Sequence, residues 1–330
     1  MIKTIGETAF SHQGDFNYLL KQIDEAAKGE CDYIKFQILV CQDEYFVRTH
    51  PGTNTIDELT FSKEQWIEAL KYSNAKGLKV LALPLTIGCI KFCEENQNLI
   101  DLYEVHSVTF NEIPFLNELA KTKKKIVLGV GGRDLTEIDI AKKALNRDHK
   151  ELILMFGFQS FPTAKENLNL NKIKNLKQYY NCELGYADHS ENTNDDYTLL
   201  NAISQSLGCT FFEKHIIVDK KEERIDGVTA IASDEFISMR KNLILNSTTL
   251  GNGDLFSLNE KEQIYKQREK KIVANRDIEK SKTIEAKDLA YKVTQNESDF
   301  QQVDYLKILQ KRASRTIKKG ETINFKDIIS

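Results

Sequence analysis

The chain lacks any apolar run approaching the roughly 20 residues that cross a bilayer, so no membrane-spanning helix is expected. It also lacks a charge imbalance. Lys and Arg number 46 against 49 Asp and Glu, a formal net charge of −3, and the basic residues are scattered. That leaves no electrostatic footprint for nucleic acid. A cysteine framework is missing too: Cys31, Cys41, Cys89, Cys93, Cys182 and Cys209 are spread along the chain. Only Cys89 and Cys93 are close, and their C-x3-C spacing places them one helical turn apart on one face. No further thiol or histidine follows, so both read as core thiols in a reducing compartment rather than as a zinc or redox pair. The N-terminus MIKTIGETAF shows no charged stretch followed by an apolar one. No signal peptide is therefore expected, and a cytoplasmic location is. Finally, no G-x-G-x-x-G follows the first strand-like segment. Gly129, Gly131 and Gly132 come after the fifth, without the later acid that a dinucleotide site wants.

What is present is alternation. Of 330 residues, 41% are hydrophobic and 29% charged, enough for one large domain plus a small one. Eight short β-rich runs begin at Ile2, Tyr33, Lys79, Leu102, Lys125, Glu151, Glu183 and Thr210. Between them, apolar residues at three- and four-residue spacing predict helices over 16–28, 63–76, 113–122, 135–145, 195–207 and 234–245. Thr136, with Glu137 and Asp139, reads as the capped first turn of one of these. Strands alternating with helices imply a parallel sheet, and eight units in some 250 residues have the size of a (β/α)8 TIM barrel. A doubly wound sheet is the alternative.

The pattern breaks near Leu250, where LGNGDLFSLNEKEQ is polar and turn-rich. The expected division is a barrel over 1–250, a linker over 251–271 and a small domain over 272–330. That small domain carries an internal repeat. RDIEKSKTIEAKDL at Arg276 and RTIKKGETINFKDI at Arg315 share R-x-I-x-K-x-x-T-I-x-x-K-D followed by an apolar residue, which implies pseudo-twofold character.

In a parallel barrel, side chains at the C-terminal strand ends form the active-site mouth. That rule selects Glu7 on strand one and Lys35 and Gln37 on strand two. It also selects Tyr186, Asp188 and His189 at the end of strand seven, and Glu213, Lys214 and His215 on strand eight, with Asp226 in the loop beyond. His189 and His215 end neighbouring strands, which lie about 4.8 Å apart. Two imidazoles so placed suit one divalent ion, with Glu7 or Asp226 adding oxygen. The alternative is that each histidine caps its strand by a hydrogen bond. Lys35 and Lys214 are the candidate anion clamps or Schiff-base lysines. Alternation points Lys214 away from both Glu213 and His215. His12 and His106 sit beyond strands one and four, and His106 is ambiguous.

Several of these stretches together resemble a known family. E-x-x-x-S-H-Q-G at Glu7, K-F-Q at Lys35, S-F-P-T at Ser160, G-Y-A-D-H-S at Gly185 and E-K-H at Glu213 look like the N-acetylneuraminate (sialic acid) synthases, in the same order along nearly the whole chain. The repeat-bearing tail resembles their small antifreeze-like (SAF) domain. The resemblance implies a TIM barrel plus SAF domain, working as a domain-swapped homodimer. It implies condensation of phosphoenolpyruvate with an N-acetylated amino-sugar aldehyde to a 2-keto-3-deoxy nonulosonic acid, for surface polysaccharide, with a divalent ion, Mn or Mg. It further implies that His189 and His215 hold the metal and that Glu7, Lys35, Asp188 and Glu213 serve catalysis. Gln37, Gln159, Phe161, Tyr186, Lys214 and Asp226 are expected to line the substrate site.

The sequence departs from the family where phosphoenolpyruvate is bound. The family's K-I-[AG]-S-G-[DE] after strand four is matched by Ser107 to Glu112, which puts Ser107 at its phosphate lysine and Phe110 at its serine. Leu83, Gly129, Ala187 and Val293 replace further polar positions, the last an arginine of the small domain. Arg133 could supply a replacement guanidinium, or be a surface residue at a helix start. The metal half of the site is thus expected intact and the phosphate half rewritten. Besides the synthase, the readings are a metal-dependent aldolase or lyase that has given up phosphoenolpyruvate, and a non-catalytic sugar-binding relative. Retention of the metal residues argues against the last.

Overall fold

The computed structural model describes residues 2–160, 162–192 and 196–329. Eight strands, β1 (Lys3–Glu7), β2 (Tyr33–Ile38), β3 (Lys79–Pro84), β4 (Leu102–Val105), β5 (Lys125–Gly129), β6 (Leu152–Phe156), β7 (Glu183–Ala187) and β8 (Cys209–His215), close into a barrel in chain order. Every pairing is parallel, including β8 back onto β1. This is the expected TIM barrel.

Helices cover its outside: α1 (Phe16–Lys28), α2 (Thr53–Leu59), α3 (Lys63–Ala75), α4 (Ile87–Glu95), α5 (Ile113–Leu119), α6 (Leu135–Leu145), α7 (Asn171–Tyr179), α8 (Asp196–Ser206) and α9 (Ser233–Leu250). The periodicity reading missed α2, α4 and α7, which are short. Its helix over 195–207 begins at a residue outside those described. Helix α4 carries Cys89 and Cys93, both buried and free, as the core reading held. The α6 cap differs from the expectation at Thr136. Asp134 is the N-cap, accepting from Glu137 N at 2.9 Å, while the Glu137 carboxylate accepts from Asp134 N at 3.1 Å. A carboxylate reaches the third helical N–H without bending the chain, so the turn starts two residues earlier.

Strand alternation builds two cores. Outward residues such as Ile34, Phe36 and Ile38 pack against the helices. Inward residues Ile5, Tyr33, Leu102, Val127, Ile153 and Phe211 fill the lower barrel. Two positions on, and therefore facing the same way, come Glu7, Lys35, Glu104, Gly129, Met155 and Glu213. The barrel interior thus changes from apolar to charged within one step of the strand.

A second compact unit spans Asn252–Ser330 and has its own apolar core around Ile272, Ile278, Ile284, Ile308 and Ile317. It contains two antiparallel pairs, β9 (Lys271–Ala274) with β10 (Leu289–Lys292) and β11 (Arg312–Ala313) with β12 (Ile328–Ile329). The two repeats pair with each other. Ile278 and Ile317, equivalent positions, exchange both backbone hydrogen bonds at 2.9 and 2.8 Å. Ser281 and Gly320, again equivalent, both adopt positive φ, +67° and +90°. Each repeat also ties its arginine to its aspartate, Arg276 to Asp288 at 2.5 Å and Arg315 to Asp327 at 2.7 Å.

Candidate active site

Strand register brings the charged layer together. Glu7 pairs with Lys35 of β2 on one side and His215 of β8 on the other. Lys35 then reaches across the barrel. Its Nζ lies 2.8 Å from Glu104 Oε1, 2.9 Å from Glu213 Oε1 and 3.4 Å from Glu7 Oε2. All four side chains are no more than 3% exposed. A lone buried ammonium would be prohibitive, so one lysine among three acids is a paired arrangement with acid to spare.

The spare acid shows in the titration. Burial works against the Lys35 charge, yet Glu104, Glu213 and Glu7 outweigh it and hold the ammonium protonated well above its ordinary value. Burial likewise raises Glu7, but Lys35 and a hydrogen bond from His215 bring its carboxyl well below the usual range. Glu104 is pushed up to about 7 by burial, with Lys35 opposing. Glu213 is raised well above its ordinary value, also by burial against Lys35. Glu7 is therefore the acid of the cluster biased toward its charged form, while Glu104 and Glu213 are biased toward their neutral forms. Their second oxygens are exposed differently to partners: Glu104 Oε2 and Glu213 Oε2 are buried with no hydrogen bond.

Glu7, His189 and His215 offer ligand atoms that all lie within 4.8 Å of one another. The two imidazoles meet edge to face, with centroids 5.1 Å apart. His215 Nδ1 lies 3.1 Å from Thr229 Oγ1, which orients the ring and leaves Nε2, 3.3 Å from Glu7 Oε2, for a ligand. His189 Nδ1 is buried with no hydrogen-bond partner among the described residues. Burial, then the neighbouring His215, holds the His189 ring neutral. Two imidazoles and one carboxylate fit a divalent cation such as Mn. The orphaned His189 nitrogen is what such an ion would satisfy.

The open space beside this cluster is a cavity of about 330 Å³, lined by Glu7, Lys35, Glu104, His189 and Glu213 and roofed by Phe158 and Gln159. Gln37 Nε2 donates to Glu7 Oε1 at 2.9 Å, and Gln159 Nε2 donates to Asp226 Oδ1 at 2.6 Å. Burial raises the Asp226 carboxyl, with His215 opposing. Asp226 holds a left-handed backbone, φ +62°, at the start of the turn that carries Thr229. Close packing at the mouth needs glycine. A Cβ at Gly131 would stand 1.6 Å from Gly157 O, and one at Gly157 would stand 2.1 Å from Ala187 O.

Three expected site residues lie elsewhere. Lys214, Asp188 and Tyr186 do not line the cavity. Lys214 Nζ meets Asp188 Oδ2 at 3.1 Å and Ser190 O at 2.9 Å, and Asp188 Oδ1 accepts from Ser190 N and Oγ and from Tyr186 Oη. Alternation along β8 turns Lys214 outward between two inward residues, so it cannot clamp an anion or form a Schiff base in the cavity. Arg133 is also committed: it donates to Glu137 Oε1 at 2.9 Å and to Ser107 O at 2.6 Å and lies over the Phe110 ring. It pins the turn after β4 and does not line the cavity. Phe161 lies outside the described residues.

Sequence reading missed Glu104. Its only signal was one acid inside the apolar run Leu102-Tyr103-Glu104-Val105. The positions read as departures from the family fall as follows. Strand β4 ends at Val105, and Ser107 sits in the turn beyond. Phe110 is a core residue, fully buried. Leu83 is buried in the apolar core, Gly129 and Ala187 line the cavity, and Val293 is 81% exposed in the second unit. His106 also lines the cavity, with burial pushing its ring down to about 4, so it is neutral.

The sequence pattern of the NeuB family matches residues 22–255. An uncharacterised protein of Methanocaldococcus jannaschii is 29% identical over 87% of this chain and 83% of its own length. A pseudaminic acid synthase of Campylobacter jejuni is 26% identical over 98% of this chain and 95% of its own. Among solved structures, an N-acetylneuraminic acid (sialic acid) synthetase from Leptospira borgpetersenii superposes with a TM-score of 0.73 at 24% identity, covering 81% of this chain and 91% of that one. The last likeness concerns the fold.

Proposed function

The chain belongs to the NeuB family, and from that premise we propose that it joins a three-carbon 2-oxo or enol acid, of which phosphoenolpyruvate is the family's form, to an N-acetylated amino-sugar aldehyde. The product is a 2-keto-3-deoxy nonulosonic acid for surface polysaccharide, made in the cytoplasm. One observation carries this reading: a carboxylate of low pKa, Glu7, sits between Lys35 and two metal-competent histidines at the barrel mouth.

His189, His215 and Glu7 would hold a divalent ion, Mn or Mg. Bound there, the ion supplies Lewis acidity toward the aldehyde oxygen. This chain's own groups do the rest. Glu7, ionised and oriented by Gln37, is placed to accept a proton. Glu213, which burial biases toward the neutral form and whose Oε2 has no hydrogen bond, is placed to give one to the oxygen that becomes the alkoxide. Lys35 fixes both acids. Gln159 and Asp226 stand where sugar hydroxyls can be met. We assign the second unit as the SAF domain and expect a homodimer, at twice 37.9 kDa in light scattering.

The assay incubates the protein with Mn2+, a panel of N-acetylated amino sugars, and either phosphoenolpyruvate or pyruvate. A 2-keto-3-deoxy acid of the summed carbon number, seen by mass spectrometry, is the expected outcome. Absence of that product with both donors across the panel sinks the reading.

A further inference from the structure

Loops from four strand ends of the barrel mouth meet on one short turn beyond β8. Asp226 opens it with its left-handed backbone, and Thr229 ends it. The loop after β1 reaches the turn through Ser11, whose Oγ donates to Ile225 O at 2.8 Å. The loop after β6 reaches it through Gln159, bonded to Asp226. The loop after β7 reaches it through Asn192, whose N–H donates to Val228 O at 3.1 Å. Strands β1, β7 and β8 are the ones whose ends carry Glu7, His189 and His215. The turn therefore fastens together the three sources of the metal-competent cluster. Ser11, from the S-H-Q-G stretch, is fully buried and finds its use in this fastening.

Thr229 is where the fastening meets a ligand. It is buried, its Oγ1 donates to Asp226 O at 3.0 Å, and the same oxygen stands 3.1 Å from His215 Nδ1. A hydroxyl has one proton and two lone pairs. With the proton spent on Asp226 O, Oγ1 offers His215 a lone pair, which calls for the ring proton on Nδ1. The other ring nitrogen, Nε2, faces Glu7 Oε2 at 3.3 Å. A proton held there joins two of the three ligands to each other, and a cation must displace it. Thr229 gives that proton its other place.

We propose that Thr229 is a positioning residue for the divalent ion: its hydroxyl draws the His215 ring proton to Nδ1 and so keeps Nε2 open to the cation. This rests on the metal-centred reading above. Thr229 is absent from the cavity lining, so it acts through His215 and not on the substrate. Partners of this kind, which hold the far nitrogen of a ligating imidazole, set both its tautomer and its basicity.

Calorimetric titration of the full-length protein with Mn2+ tests this in wild type, Thr229→Val, Thr229→Ser and Thr122→Val. Thr229→Val keeps the shape and removes the hydroxyl, and should weaken Mn2+ binding about 10–100-fold. Thr229→Ser keeps the hydroxyl and should bind Mn2+ as wild type does. Thr122→Val strips another buried threonine hydroxyl, one that donates to Leu119 O beyond α5, and should leave Mn2+ binding unchanged. Unchanged affinity in a folded Thr229→Val overturns the proposal. So does an equal loss in Thr229→Ser, or a loss as large in Thr122→Val. Circular dichroism reports folding, and Thr229→Ala decides by the same criterion if Thr229→Val does not fold. Failure of the wider reading looks different. A wild type that binds no Mn2+ removes the metal-centred reading and this assignment with it. Wild-type binding that survives intact in Thr229→Val removes the role of Thr229 alone.

Discussion

Two lysines on neighbouring sides of the barrel wall are buried to the same degree, and they serve opposite ends. Lys214 on β8 faces one carboxylate, Asp188, and one carbonyl, Ser190. Its charge is matched one to one, and burial lowers its pKa against the pull of Asp188. Lys35 on β2 faces three carboxylates, two of which keep an oxygen with no partner. The first is a closed pair that holds the β7 end to β8. The second is an open cluster that lines a cavity and holds more acid than its one cation matches. Burial alone does not mark a functional site here; unmatched burial does.

The largest break in that contrast comes from the histidines. His189→Ala and His215→Ala should each abolish metal retention, read by metal analysis, and cut product formation at least ~100-fold, since even groups supporting a metal ligand cost 10–100-fold when lost. Lys214→Met should leave the metal content untouched. Unchanged metal in both histidine variants would erase the distinction between the two sides.

Lys214→Met is the next largest test, and its effect is on folding. Removing the cation strands Asp188 in the interior, which costs about 3–5 kcal/mol by denaturant unfolding. Activity per folded molecule should stay at the wild-type level, because Lys214 does not reach the cavity. A loss of activity without a loss of stability would return Lys214 to the site.

A smaller, pH-dependent difference separates Glu104 from the closed pair. Its folded carboxyl sits at about 7, above the unfolded value of 4.5. The folded state therefore holds a proton that the unfolded chain has released. That contribution to stability is fully present below pH 4.5 and is lost as the pH rises to about 7. In the metal-free protein, urea unfolding from pH 5 to pH 7.5 should show stability falling over this window. Glu104→Gln should flatten the fall, and an equal slope in both proteins would contradict it.

Much of this was legible in sequence, for a physical reason. Strand ends of a parallel barrel all point one way, so Glu7, Lys35, His189, Glu213 and His215 could be placed from periodicity alone. Glu104 was not, because a single acid in a four-residue apolar strand carries no period. The false placements have causes too. Asp188 and Tyr186 lie within three residues of His189, where the chain leaves the strand, and alternation stops being a guide to direction. Arg133 was ambiguous until its guanidinium could be followed to Glu137 and Ser107. The small unit was easier, since its repeat is written twice and the two copies pair at Ile278 and Ile317.

That repeat offers the gentlest test, a buried carboxylate whose cation is half in water. Asp288 and Asp327 are buried, but Arg276 and Arg315 are each 45% exposed. Solvent screens these ion pairs, so they should add little. What each aspartate cannot shed is its second oxygen, which accepts from Glu285 N at 2.9 Å in one repeat and from Asn324 N at 3.0 Å in the other. That bond closes a turn and resembles a helix cap in kind, worth about 1 kcal/mol. Arg276→Ala and Arg315→Ala should therefore cost less than Asp288→Ala and Asp327→Ala. The two members of each pair of equivalent substitutions should agree closely, because the copies share their geometry. Thermal unfolding of the four variants settles the order. If the arginines proved the costlier losses, exposed pairing rather than the buried turn-closing carboxylates would be supporting this unit.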